Sequence, residues 1–131
     1  MTITRIKIAS LLVAFAALAV LVAPALSSRA PTASEKKAIT HAFKTTHKAG
    51  LNQVASHFNV KGIRVSTVNT HWAKANLVAK RKYRNTFQNG YGVAKRGTAG
   101  WKVKDVGSSG VGCGIVPKKV FKDLKLGTCP G

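Results

Sequence analysis

An α+β fold is predicted for this chain: an N-terminal helix packed on a four-stranded antiparallel meander, followed by a short C-terminal helix stapled by a disulfide. Three observations predict it. Residues 32–48 place apolar side chains at helical spacing. Residues 63–106 alternate apolar with polar and break at Gly, Asn and Thr, as strands and turns do. Residues 117–126 return to helical spacing behind a proline and lie between the two cysteines. No internal repeat is present, and both helices are expected on one face of the sheet.

Ahead of that domain, Arg5 and Lys7 form a positive segment, and Ile8 to Val22 is an apolar run. Ala23-Pro24-Ala25 supplies small residues at the spacing of a cleavage site, so residues 1–25 read as a signal peptide cut after Ala25. A cut after Ala30 is less favourable because Pro31 would follow it. The alternative, an uncleaved membrane anchor, wants about 20 apolar residues, and this run is shorter and broken by Pro24. Either way the remainder is placed outside the cytoplasm. Residues 26–31 read as a flexible tail and 32–131 as a single secreted domain.

Thr32 and Glu35 have the spacing of a capping box. The helix behind them carries Ile39, Ala42, Phe43 and Thr46 on one face, with Lys37, His41, Lys44 and Lys48 as a basic ridge opposite. Gly50 suits its end. Leu51, Val54, Ala55 and Phe58 suggest one further helical turn, and Gly62 ends that connection. Strands are predicted over 63–68, 72–79, 91–96 and 101–106, with turns at 69–71 and 97–100 and a loop through Gln88. In the last helix Val120, Phe121 and Leu124 face inward, Lys118, Lys122 and Lys125 face outward, and Gly127 stops it. The Gly107–Gly112 stretch then reads as a strand-to-helix corner rather than an active-site loop.

Cys113 and Cys129 are the only cysteines, an even number in an exported chain, so a Cys113–Cys129 disulfide is the default. Closing so short a loop contributes about 3 kcal/mol in the chain-entropy model. Without a CxxC the pair does not read as a thiol-redox centre.

Charge is the most extreme property. The chain carries 22 Lys and Arg against 3 acids, a net charge of +19. Removing Arg5 and Lys7 with the signal leaves 20 basic residues against Glu35, Asp105 and Asp123, a net of +17. Such a field favours polyanions. It also argues against carboxylate catalysis, since a glycosidase pair needs two free acids flanking one bond and Glu35 is engaged by the cap. His41, His47, His57 and His71 lack zinc-site spacing, so no metal site is read. Gly107-Ser108-Ser109-Gly110-Val111 misses the nucleophile elbow by its last glycine, and Gly110-Val111-Gly112-Cys113-Gly114-Ile115 misses the dinucleotide fingerprint by its third. No catalytic residue and no cofactor follow from this chain.

What remains is surface chemistry. Lys80, Arg81, Lys82 and Arg84 surround Tyr83 and form the candidate anion-binding site, with Lys37, Lys44 and Lys48 as a secondary basic ridge. No RNP-type aromatic platform or helix-turn-helix is present, so no specific nucleic-acid motif is read. The primary expectation is a monomeric, secreted, non-enzymatic domain that binds an anionic cell-wall polymer, a membrane surface or another polyanion. Two alternatives follow from other features. A cystatin-like or nuclear-transport-factor-like cone would hold a small ligand or substrate in a pocket lined by Phe43, Trp72 and Trp101. Charge alone would fit a membrane-active toxin.

Two stretches carry a family resemblance. Residues 63–68 (IRVSTV) followed by Trp72-Ala73 form one half of the pattern. GWKVKDVGS at 100–108, then Val111-Gly112-Cys113 and Val116-Pro117, form the other. Over residues 60–130 the chain resembles small exported actinobacterial proteins of unknown function. The resemblance implies a signal peptide, a small α+β domain and a C-terminal disulfide, and it carries over no functional residue.

Overall fold

A computed structural model describes residues 27–47 and 54–131. The expected signal peptide, Lys48 and the helix stop at Gly50 lie outside them, as does Leu51. Helix α1 spans Ala33–Thr45 and a single turn, α2, spans Val54–His57. Strands β1 (Phe58–Val65), β2 (Trp72–Ala79), β3 (Gly90–Gly97) and β4 (Gly100–Gly107) follow, then α3 (Lys118–Asp123). The strands form one antiparallel meander in the order β1-β2-β3-β4, as predicted.

The capping box forms in full. Thr32 Oγ1 accepts the Glu35 amide at 3.2 Å, and Glu35 Oε1 accepts the Thr32 amide at 2.9 Å. From there Ile39, Ala42 and Phe43 face the sheet and are buried. They meet Ile63 and Val65 of β1, Ala73, Ala75, Leu77 and Ala79 of β2, Ala94 of β3 and Val103 of β4.

The other face of the sheet is covered too. Trp72 and Val93 project there and pack with Val111, Val116, Val120, Leu124 and Leu126. The two main helices therefore lie on opposite faces, not on one. The physical reason is visible at two adjacent pairs, Trp72–Ala73 of β2 and Val93–Ala94 of β3. Both members of each are buried, and successive strand residues point to opposite faces, so each face needs its own cover. Both hydrophobic clusters are small, and the sheet is the wall between them.

Two boundaries differ from expectation. β1 begins at Phe58, five residues before the predicted start at Ile63, and ends at Val65. Gly62 does not end a connection: it sits at φ +59° in a bulge between Lys61 and Arg64, which lets the strand pass through it. Residues 28 and 29, read as part of a tail, are bound into the domain. Arg29 exchanges two backbone hydrogen bonds with Val65, at 2.7 and 2.8 Å, against the edge of β1. Its guanidinium pairs with both oxygens of Glu35, at 2.7 and 2.9 Å.

The corner after β4 is a strand-to-helix junction held at two points. Cys113 and Cys129 are joined by the disulfide, with Cα atoms 5.6 Å apart. Asp105 Oδ2 accepts the Gly112 amide at 2.8 Å and its Oδ1 accepts the Val106 amide at 3.0 Å. Pro117 caps α3 from the outside, and within the helix Val120 is buried while Lys118 and Lys122 are exposed.

Candidate functional site: a basic groove

Each acidic residue of the chain is committed to architecture. Glu35 is bound by Arg29 and the cap, and Asp105 by two amides of the corner. Asp123, buried in α3, is the most heavily engaged. Its Oδ1 accepts the Ser28 amide at 2.6 Å, and its Oδ2 accepts the Ser66 hydroxyl at 2.7 Å and the Thr67 amide at 2.8 Å. Burial pushes the Asp123 carboxyl up, but the hydrogen bonds from Ser66, Ser28, Thr67 and Val68 outweigh it and hold it below the usual carboxylate range. Arg29–Glu35 is the one ion pair among the described residues, and it draws Glu35 down to about 2.

Against these three acids the basic residues stand largely uncompensated. In the β2–β3 connection, Arg81–Tyr83 forms a short 3-10 turn with Lys80 before it. The Tyr83 ring packs edge-on to His57 at 4.3 Å and belongs to a cluster with Phe87, which in turn meets Phe58. Tyr83 is thus the anchor of the turn, and its ring is half-buried rather than presented as a stacking surface. Arg81, Lys82 and Arg84 are exposed around it.

The fold draws one member of each predicted basic set together. Lys44 of the α1 ridge and Lys80 of the loop line one groove of about 340 Å³ between α1, β1 and the β2–β3 connection. Lys61 of β1 lines it as well, a residue that sequence reading passed over. Thr40, Phe58, Asn59 and Val60 complete the lining, and no carboxylate lies in it. Lys37 and His41 are exposed along α1, at i−7 and i−3 from Lys44, and continue the ridge away from the groove. The signal that would have found Lys61 is its place on an edge strand, where a lysine at a solvent-facing position is common. That strand was not read as starting before Ile63.

The aromatic trio proposed to line a cone does not share a cavity. Phe43 is fully buried in the cluster under α1, Trp72 is 4 % exposed in the cluster on the other face, and Trp101 lies at the first cluster's margin. A separate cleft of about 230 Å³ opens between Phe58, Leu77 and Val106, with Gln88, Asn89 and Ser108 at its rim and no titratable side chain. Among the described residues no three His, Cys, Asp or Glu side chains converge as metal ligands. None of the described helices is long and apolar enough to cross a membrane. Compared with known proteins, the chain matches no family model, no curated protein and no solved structure.

Proposed function

We propose that this protein is a secreted, non-enzymatic domain that binds extended polyanionic polymer, with the groove of Lys44, Lys61 and Lys80 as the principal contact. The observation that carries this reading is the convergence of three lysines from three separate segments on one groove that contains no acid. Arg81, Lys82 and Arg84, on the turn beside Lys80, extend the positive surface along the path a polymer would take. Arginines there suit bidentate contact with phosphate or sulfate, and lysines in the groove act as compact point charges.

Export is part of the same proposal. A disulfide belongs to a non-reducing compartment. What supports cleavage after Ala25 over cleavage after Ala30 is the role of Ser28 and Arg29. The first cut leaves both residues in the mature chain; the second removes the donor to Asp123, the partner of Glu35 and the bridge to Val65.

Retention on immobilised heparin and on polyphosphate tests the groove. Binding should weaken linearly in log–log form as salt rises, because each neutralised anionic group releases condensed counterions. The triple variant K44Q/K61Q/K80Q should elute at markedly lower salt and show a shallower salt slope. Equal retention of the triple variant and the parent would reject the groove as the site. Retention by anionic vesicles but by neither polymer would replace the polymer with a membrane surface.

A further inference from the structure

Lys95 and Lys102 stand directly opposite one another in the β3–β4 register. Like charges in that relation destabilise an antiparallel pair. The sheet contains one other such pair, Arg64 opposite Lys74, and there the protein supplies the acceptors. Arg64 donates to the Ser28 carbonyl at 2.7 Å and to its Oγ at 3.1 Å, while Lys74 Nζ donates to the Lys125 carbonyl at 3.2 Å.

The hairpin pair has no comparable answer from the chain. Lys95 Nζ lies 5.3 Å from the centre of the Trp72 ring, a cation–π contact that leaves its hydrogen-bond donors uncommitted. Among the described residues, the side chains of Lys95, Lys102 and Lys104 form no hydrogen bond or ion pair with the protein. Lys104 is the extra residue of the bulge where the register shifts between Val93 and Ala94, so it lacks a cross-strand partner. Asp105, the adjoining acid, already accepts from Val106 and Gly112. The three lysines line one cleft of about 270 Å³ together with Thr98 of the hairpin turn.

From this arrangement we infer that the β3–β4 hairpin is a discrete binding site for a tetrahedral oxyanion, a phosphate or sulfate group, held by Lys95, Lys102 and Lys104. Three rotatable ammonium groups around one cleft match an anion with several acceptor oxygens, and binding one removes the repulsion between Lys95 and Lys102. The site is independent of the Lys44 groove. It lies at the other end of eight-residue strands, roughly 20 Å away along the sheet.

Titration followed by amide chemical shifts tests it, at constant ionic strength with chloride as the reference anion. Inorganic phosphate, inorganic sulfate and glycerol 3-phosphate are the probes. Saturable shifts at Thr98, Ala99 and Gly100 with phosphate or sulfate, and none with chloride, are the expected result. Tighter binding of the ester would point to a phosphate carried on a larger molecule, and equal binding to the free anion; both support the site. K95Q and K102Q should each weaken binding about tenfold, while K44Q/K61Q/K80Q leaves it unchanged. Absence of saturation, an equal response to chloride, or unaltered binding in K95Q/K102Q would overturn the assignment.

Discussion

The amide of Ser28 donates to Asp123 Oδ1 at 2.6 Å, joining residues 95 positions apart in sequence. That bond sits beside those from Ser66 and Thr67, so one carboxylate on α3 gathers the N-terminal segment and the β1–β2 turn. Through Asp123 the N-terminal segment and the last helix become parts of one structure.

Removing that carboxylate should therefore be costly. Asp123→Ala leaves the Ser28 amide, the Ser66 hydroxyl and the Thr67 amide without their acceptor, and should destabilise the fold by about 2–4 kcal/mol. Chemical denaturation with fixed m-value measures the loss. A change within about 0.5 kcal/mol, the range of an ordinary surface substitution, would contradict the hub.

Acid should weaken the protein through the same groups. The Asp123 and Glu35 carboxyls are both held below their ordinary values, Glu35 at about 2. A carboxyl depressed on folding contributes stability that is complete above its unfolded value, near 4, and is lost as pH falls through the folded one. Tm should thus decline from roughly pH 5 downward, and the decline should be shallower in Asp123→Asn. An identical pH profile in that variant would remove Asp123 from the explanation.

The position of the N-terminus should matter as well. A chain beginning at Pro31 lacks Ser28 and Arg29, and should be less stable than one beginning at Leu26 by about 2–4 kcal/mol. If export follows the proposed route, mass spectrometry of the mature chain should find Leu26 first. Equal Tm values for the two chains would show that the segment adds nothing.

Gly92 and Phe43 test the packing under α1. A Cβ at position 92 would fall 2.5 Å from Phe43 Cε1 and 2.6 Å from Val106 Cγ1. Gly92→Ala should cost about 1–3 kcal/mol, and Phe43→Leu in the same chain should recover part of it. A double-mutant cycle gives the coupling directly, and strict additivity would mean the two residues do not share the space.

Breaking the disulfide should loosen the corner before the sheet. Cys113→Ala with Cys129→Ala should lower stability by about 3 kcal/mol. Amide exchange should rise first across 108–117, with β2 and β3 still protected. Uniform loss of protection across the sheet would place the disulfide's effect elsewhere.

Features governed by neighbours in sequence were legible from the chain. The capping box at Thr32 and Glu35, the buried stripe of α1, the bounds of β2 and the pairing of the two cysteines all follow from local spacing or from counting. So does the order of helix, meander and helix. Even β1 was found in part, and its early start was hidden only because a glycine in a bulge resembles a glycine in a turn. For the candidate site, sequence clustering identified Lys80 and its neighbours and, separately, Lys44.

Tertiary structure decided what those residues do together. Lys44, Lys61 and Lys80 meet because α1 crosses the sheet and β1 pairs with β2 in one register, and no short window of sequence contains that register. The same holds for Asp123, an unremarkable acid on a short helix until Ser28 and Ser66 are brought to it. Which face α3 covers was equally undetermined, since Trp72 and Ala73 are adjacent in sequence yet feed opposite clusters. Local propensity sets the elements of this chain; the side of the sheet on which each residue lands sets its chemistry.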